Sequence, residues 1–177
     1  MEEIVIGFVR VLGSLPVLRW AFVGALIAIV VDFSDLFLRN LLDLGGIENY
    51  QGFDKVMDLV YMATFLVVSL RWQGLAKSVA VALFVFRMAG FGLFEATQWR
   101  GTLFLFPNVF EFWFVYVAAV LHWRPSHLVT RREAMIALPA LLAGKLFQEY
   151  ALHVGKWLDG FTAVDAVEEI WRFATPW

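Results

Sequence analysis

Residues 76–97 read AKSVAVALFVFRMAGFGLFEAT, an apolar run that carries Arg87 and Glu95 in its interior. A helix of about 20 mostly apolar residues is long enough to cross the hydrocarbon core of a bilayer. A charge inside that core costs at least roughly 2.5 to 3.5 kcal/mol unless it is paired or hydrated. The stretch therefore predicts a membrane helix whose charged side chains face other helices or water.

The composition of the whole chain extends this prediction. Of its 177 residues, 61% are hydrophobic and 17% are charged, and the mean hydropathy is +0.73. Such a balance is typical of integral membrane proteins. Four further apolar runs lie at 18–38, 56–71, 103–122 and 134–154. We therefore predict an all-α, polytopic integral membrane protein, with residues 1–177 forming one transmembrane domain and 18–154 a bundle of about five transmembrane helices.

The two termini have the pattern of amphipathic helices. In residues 1–15 apolar side chains alternate with Glu2, Glu3 and Arg10, and Pro16 follows. This pattern predicts an interfacial cytoplasmic helix. Residues 159–177 are acidic, with apolar side chains at helical spacing, and they predict an amphipathic helix on the outer surface.

The short loops orient the bundle. Residues 71–77 and 123–132 contain five basic side chains, whereas residues 98–102 contain one. Because Lys and Arg are enriched in cytoplasmic loops, we predict a cytoplasmic N-terminus and an outer C-terminus, in a cytoplasmic (inner) membrane. The lipid bilayer is then the first partner of the chain.

Charge and cysteine content exclude several classes of function. The formal net charge is −2 and no basic surface is evident, so nucleic acid is not expected as a partner. The chain has no cysteine, which excludes disulfides and thiolate metal sites. Any bound metal would need carboxylate or imidazole ligands.

Ionisable side chains in all five predicted spans fall at or beyond the midplane, toward the outer side. We predict that they line a polar cavity there. Its candidate residues are Asp32, Asp35, Asp58, Arg87, Glu95, Glu111, Lys145 and Glu149. The six carboxylates exceed Arg87 and Lys145 by four formal negative charges, which protons, water or a bound cation would balance. Gly90, Gly92 and Gly144 are expected to let neighbouring helices approach closely.

Three functions are compatible with such a cavity. The first is transport of protons, a cation or a small polar solute, because carboxylates in membrane cavities carry protons. The second is an intramembrane enzyme acting on a lipid or amphiphile. It would hold a divalent metal with Glu149 and His153, four residues apart on one helix face, together with Glu95 and Glu111. The third is a non-catalytic subunit or binding module that assembles as a homo-oligomer or with a membrane-complex partner.

Overall fold

The computed structural model describes the backbone at residues 2–42, 50–98, 102, 105–150, 171, 172 and 175. Side chains are described at 7–32, 59–98, 102, 105–148, 150, 171, 172 and 175. These parts of the chain contain six α-helices and no strand. The helices are α1 (Glu2–Ser14), α2 (Ala21–Leu42), α3 (Tyr50–Ser69), α4 (Gly74–Thr97), α5 (Val109–Trp123) and α6 (Arg131–Glu149), with a 3₁₀ helix at Leu15–Leu18 between α1 and α2.

The predicted all-α class is confirmed, whereas the five-span bundle is not. Each predicted span overlaps one of the helices α2 to α6, but within the described residues only α4 is long and apolar enough to cross a membrane. Helix α5 begins at Val109 rather than near 103. Pro107 explains the late start, because proline lacks an N–H donor and keeps the preceding residue out of helical geometry. The resulting helix is about 22 Å long.

Contacts between helices give the order of the bundle. Trp113 on α5 donates its indole N–H to the carbonyl of Ala76 at 3.1 Å, and Arg87 donates to the carbonyl of Phe106 at 2.9 Å. The contact that lies later in the α5 region therefore lies earlier in α4, so these two helices are antiparallel. Helix α3 is parallel to α5, because Tyr61 contacts Glu111 and residues further along each helix also meet.

Three connections meet at one end of the molecule. Arg71 donates to the carbonyl of Leu18 at 3.0 Å, and the rings of Phe22 and Trp123 lie 5.1 Å apart. Residues 15–20, 70–73 and 124–130 therefore share this end, which we call the basic end. Its basic residues are Arg19, Arg71, Lys77, Arg124, Arg131 and Arg132.

A capping box at the basic end starts α6. The Glu133 N–H donates to Thr130 Oγ1 at 3.3 Å, and the Thr130 N–H donates to the Glu133 carboxylate at 2.7 Å. The ring of His127 lies 3.0 Å from the same carboxylate. The Thr130 hydrogen bond, and then the His127 contact, lower the pKa of the Glu133 carboxyl. Because the folded pKa is lowered, this cap stabilises the fold above the ordinary carboxyl pKa, and its contribution is lost as pH falls further.

Buried aromatic side chains form a layer between α3 and α5. Phe65 stacks on Phe114 with ring centroids 4.2 Å apart, and Trp72 stacks on the same ring at 5.0 Å. Phe110 and Trp113 are fully buried beside them. Such aromatic pairs contribute about 0.5 to 1.5 kcal/mol each beyond the area that they bury. We refer to Phe65, Trp72, Phe110, Trp113 and Phe114 as the aromatic layer.

Helix α1 occurs where it was predicted, but it packs along α2 and α3. Arg10 forms an ion pair with Asp32, and a Cβ at Gly13 would lie 2.8 Å from the γ carbons of Val31. The start of α2 packs tightly against the 3₁₀ helix, since a Cβ at Gly24 would lie 2.3 Å from the backbone nitrogen of Val17. Sequence reasoning did not anticipate this hairpin. The predicted outer helix over 159–177 lies outside the described residues apart from 171, 172 and 175.

The three glycines singled out in the sequence differ in their surroundings. A Cβ at Gly90 would lie 2.2 Å from the Cβ of Phe106, which no real contact reaches. A Cβ at Gly144 would make an ordinary contact of 3.6 Å with Phe112, and one at Gly92 would meet nothing within 4 Å. Of these three glycines, only Gly90 is required for a close contact, which it makes with Phe106.

Substitution of Gly90 and Gly92 by alanine should have opposite effects on stability. Gly90→Ala should lower the free energy of unfolding by about 1 to 3 kcal/mol, because Phe106 must move away from α4. Gly92→Ala is a matched control on the same helix, and it should be neutral or stabilise by up to about 1 kcal/mol through better helix propensity. Thermal unfolding of both variants in one detergent measures this difference. Equal effects would contradict the contact between Gly90 and Phe106.

Candidate functional site

Glu111 lies in the first turn of α5 and accepts hydrogen bonds from two uncharged side chains. Its Oε2 accepts from the Tyr61 hydroxyl on α3 and from the Asn108 amide, each at 3.2 Å. The Asn108 amide also donates to the Tyr61 oxygen at 3.2 Å. The three side chains thus close a triangle that joins α3 to the start of α5. The position also suits a carboxylate, since the N-terminal turn of a helix favours negative charge.

Charged groups from three further helices surround this triangle. Glu111 interacts electrostatically with Lys145 on α6, Asp32 on α2 and Arg87 on α4. Helices α2 to α6 therefore each contribute a polar side chain to one region. We call Arg10, Asp32, Tyr61, Arg87, Asn108, Glu111 and Lys145 the Glu111 cluster. Four of the eight predicted cavity residues belong to it.

The two basic residues predicted for the cavity are held by partners of their own. Lys145 is buried, its Nζ donates to Gln148 Oε1 at 3.0 Å, and the same atom lies 5.9 Å from the centre of the Phe112 ring. That distance is within the range of a cation–π interaction. Arg87 donates to the carbonyl of Phe106, just before α5. Both cations are thus positioned around the first turns of α5.

Arg10 is the residue that sequence reasoning missed. It belongs to the segment predicted to lie at the cytoplasmic interface, yet it is buried and ion-paired with Asp32. The pairing depends on the hairpin between α1 and α2, and no local pattern encodes a contact across 22 residues. The one available signal was the set of small residues, Gly13 and Gly24, that allow this hairpin to close.

The other predicted cavity residues are not joined to this cluster by the described contacts. Glu95 is exposed near the end of α4. Asp35 lies in α2, Asp58 in α3 and Glu149 at the end of α6, but their side chains are outside the described set. Within the described cluster, three basic side chains face two carboxylates. The predicted negative excess therefore rests on residues whose side chains are not described and on Glu95.

One buried acceptor in the cluster lacks a donor. Asn108 is 6% exposed, and its Oδ1 accepts no hydrogen bond from any described residue. An unsatisfied buried polar group costs about 1 to 3 kcal/mol. Both hydrogen bonds that Glu111 accepts from described residues go to Oε2. Its Oε1 and the Asn108 Oδ1 are therefore acceptors that a donor group could use.

Two members of the aromatic layer, Phe65 and Phe114, lie between the cluster and the basic end. Phe65 and Phe114 lie about one helical turn beyond Tyr61 and Glu111 and are fully buried. Hydroxyl groups toward the basic end are already used within their own helices. Thr64 donates to the Tyr61 carbonyl at 2.7 Å, and Ser69 donates to the Leu66 carbonyl at 2.8 Å. Between the cluster and the basic end, the bundle therefore presents buried rings and hydroxyl groups that already have acceptors.

The predicted metal ligands do not form a group in the described part of the chain. No set of three or more His, Asp or Glu side chains there could hold a metal ion. Of the predicted ligands, Glu111 lies in the cluster and Glu95 is exposed on α4. The side chains of Glu149 and His153 lie outside the described residues. A divalent metal bound by these four residues stays a prediction.

The Arg10–Asp32 pair should show measurable energetic coupling. Asp32→Asn should lower the free energy of unfolding by about 1 to 3 kcal/mol, because it leaves a buried guanidinium without its counter-charge. Arg10→Gln should also destabilise the fold, and the double variant should recover about 0.5 to 3 kcal/mol of the summed loss. Denaturation of the four proteins completes the cycle. Strict additivity would mean that the pair contributes no coupling.

Comparisons with known proteins return no relative for this chain. No protein family, curated protein or solved structure matches it. Function is therefore inferred from the contacts of its own residues.

Proposed function

We propose that this protein is an integral membrane protein in which Glu111 exchanges a proton, or binds a small cation, during transport of that ion or of a small polar solute. The observation that carries the proposal is the Glu111 cluster. A carboxylate held by Tyr61 and Asn108, with Lys145 and Arg87 nearby, lies inside a helical bundle. Carboxylates in such surroundings are the usual proton carriers of membrane proteins.

The exposed apolar surface of α4 supports insertion into a membrane. It is apolar over a length sufficient to cross a bilayer, yet only a small part of it is buried. Val85 is 59% exposed and Leu93 is 45% exposed. A core helix of a soluble protein would be mostly buried, and contiguous apolar surface exposed to water is unfavourable. Helix α6 also exposes apolar side chains, since Met135 and Ile136 are 66% and 65% exposed.

Positive charge at one end supports the proposed orientation. The basic end contains all the short connections rich in Arg and Lys, and Trp20, Trp72 and Trp123 lie at the same end. Cytoplasmic loops are rich in basic residues, and tryptophans gather at membrane interfaces. With the basic end in the cytoplasm, the Glu111 cluster would lie in the outer half of the membrane.

Single cysteines test this orientation, and the natural chain has no cysteine to interfere. Ser126 is exposed at the basic end and Thr97 is exposed at the opposite end. A membrane-impermeant maleimide should label Thr97→Cys in intact cells, and Ser126→Cys only after permeabilisation. The reverse pattern would overturn the orientation. Labelling of both positions only after permeabilisation, with the protein in the soluble fraction, would overturn membrane insertion itself.

The geometry around Glu111 defines the chemistry of an exchange step. Because Oε2 already accepts two hydrogen bonds, an incoming proton or cation would bind at Oε1. Asn108 Oδ1, which has no donor among the described residues, would add a second acceptor to the same site. Binding there neutralises Glu111 and weakens its attraction to Lys145 and Arg87. The aromatic layer would then have to open for release toward the basic end.

Glu111→Gln tests the role of this carboxylate. Glutamine keeps a carbonyl oxygen for Tyr61 and Asn108 but removes the counter-charge of Lys145, so the free energy of unfolding should fall by about 1 to 3 kcal/mol, and flux is compared at equal amounts of folded protein. In proteoliposomes with an internal pH-sensitive dye, the variant should lose most of the proton or cation-coupled flux. Glu95→Gln, the same substitution at an exposed position of α4, should keep it.

Two results would contradict the transport proposal. One is unchanged flux in Glu111→Gln. The other is a natural protein whose vesicles show no flux above empty ones under imposed gradients of protons, sodium and potassium. The second result would favour a different role for the cluster.

That second role is a membrane subunit whose buried charges hold its helices in register. The pairing of Arg10 with Asp32 favours it, because a satisfied ion pair needs no ligand. The chain would then work in a homo-oligomer or with another membrane protein. A metal-dependent enzyme is favoured by no contact in the described residues, and elemental analysis of the purified protein would detect its metal.

A further inference from the structure

A second polar feature lies at the basic end, outside the Glu111 cluster. A cavity of about 250 Å³ opens between the start of α2 and the end of α5. Its lining includes Arg19, Trp20, Phe22, Val23 and His122. Since a water molecule occupies about 30 Å³, the cavity has room for about eight waters. A phosphate group with part of a glycerol backbone is of similar size.

The polar side of the cavity presents a cation. Arg19 is exposed, and its guanidinium makes no hydrogen bond or ion pair with the residues that the structure describes. Its backbone is fixed, because the Arg19 N–H donates to the Pro16 carbonyl at 3.1 Å and Arg71 holds the carbonyl of Leu18. The guanidinium is thus positioned by its backbone and available to a ligand. Planar guanidinium groups bind phosphate oxygens in pairs.

Aromatic rings form the opposite wall. The His122 ring lies 5.6 Å from the Phe22 ring and 5.3 Å from the Trp123 ring. These contacts hold the His122 ring in place beside the cavity, where one ring N–H can donate to an anion. Trp20 is 61% exposed beside them. An amphipathic ring at this level is typical of the boundary between headgroups and acyl chains.

An apolar stripe leads away from the cavity along α2. Val23, Ile27 and Val30 are spaced by four and three residues, so they share one face of the helix. They are 44%, 39% and 66% exposed, respectively. The stripe runs from the basic end toward the middle of the bundle over about 10 Å. A ligand with its charge at Arg19 could lay a hydrocarbon chain along it.

We propose that this cavity binds an anionic phospholipid, with the phosphate on Arg19 and one acyl chain along Val23, Ile27 and Val30. A free phosphate would leave the stripe uncovered. A zwitterionic lipid carries the same phosphate, but its ammonium would be repelled by the surrounding positive charge of the basic end. The inference rests on the membrane insertion proposed above and does not depend on the role of Glu111.

Lipid-dependent stability of the full chain tests the site. Purified protein in a neutral detergent is titrated with phosphatidylglycerol, phosphatidylcholine or inorganic phosphate, and both Tm and lipid adducts in native mass spectrometry are recorded. Phosphatidylglycerol should raise Tm and form a one-lipid adduct, while the other two probes should have smaller effects. Arg19→Gln should weaken the phosphatidylglycerol response about fivefold, the effect of losing one basic contact.

Two further variants make the result specific. Lys77→Gln removes an exposed basic residue from the same end, on α4, and should leave the response unchanged. Arg19→Lys keeps the charge and should retain most of it. Equal responses to the two lipids, or equal losses in Arg19→Gln and Lys77→Gln, would overturn the site. Stabilisation by inorganic phosphate alone would overturn the lipid as its source. A failure of membrane insertion would be seen separately, as absence of co-flotation with vesicles.

Discussion

The half-buried carboxylate of Glu111 is the constraint on which the arrangement of this bundle depends. A charge cannot be left alone among apolar side chains, so its neighbours must supply hydrogen bonds and opposite charge. Tyr61 and Asn108 supply the hydrogen bonds, and Lys145 and Arg87 supply the charge. Because these residues come from different helices, satisfying Glu111 fixes how α3, α4 and α6 pack around α5.

The helices and part of the Glu111 cluster could be predicted from the sequence, because both depend on local patterns. Hydropathy predicted the positions of α2 to α6. Because successive helices were predicted to run in opposite directions, Asp32, Arg87, Glu111 and Lys145 were expected at one level of the bundle. That level depends only on the position of a residue along its helix and on the direction of the helix.

What sequence reasoning missed depends on tertiary packing. The placement of Arg10 required knowing that α1 folds back on α2, and 22 residues separate the paired charges. The difference between Gly90 and Gly92 is also tertiary, because both lie on α4 and only the direction of Phe106 distinguishes them. The predicted number of membrane spans is not confirmed, because within the described residues only α4 is long and apolar enough to cross a membrane. Length along the sequence does not reveal that α5 is shortened or that α2 and α3 carry charged ends.

Arg10 also changes the electrostatic argument for function. Without it, the cavity was expected to be strongly negative and to attract cations or protons. With it, Asp32 is neutralised, and the described charges near Glu111 are Lys145 and Arg87. A cation that binds at Glu111 must then displace the attraction of two fixed positive groups. A proton or a monovalent cation neutralises the carboxylate, whereas a divalent metal ion would leave a net positive charge beside Lys145 and Arg87. The packing of α1 thus favours exchange of a proton or a monovalent cation over binding of a divalent metal within the proposed transport function.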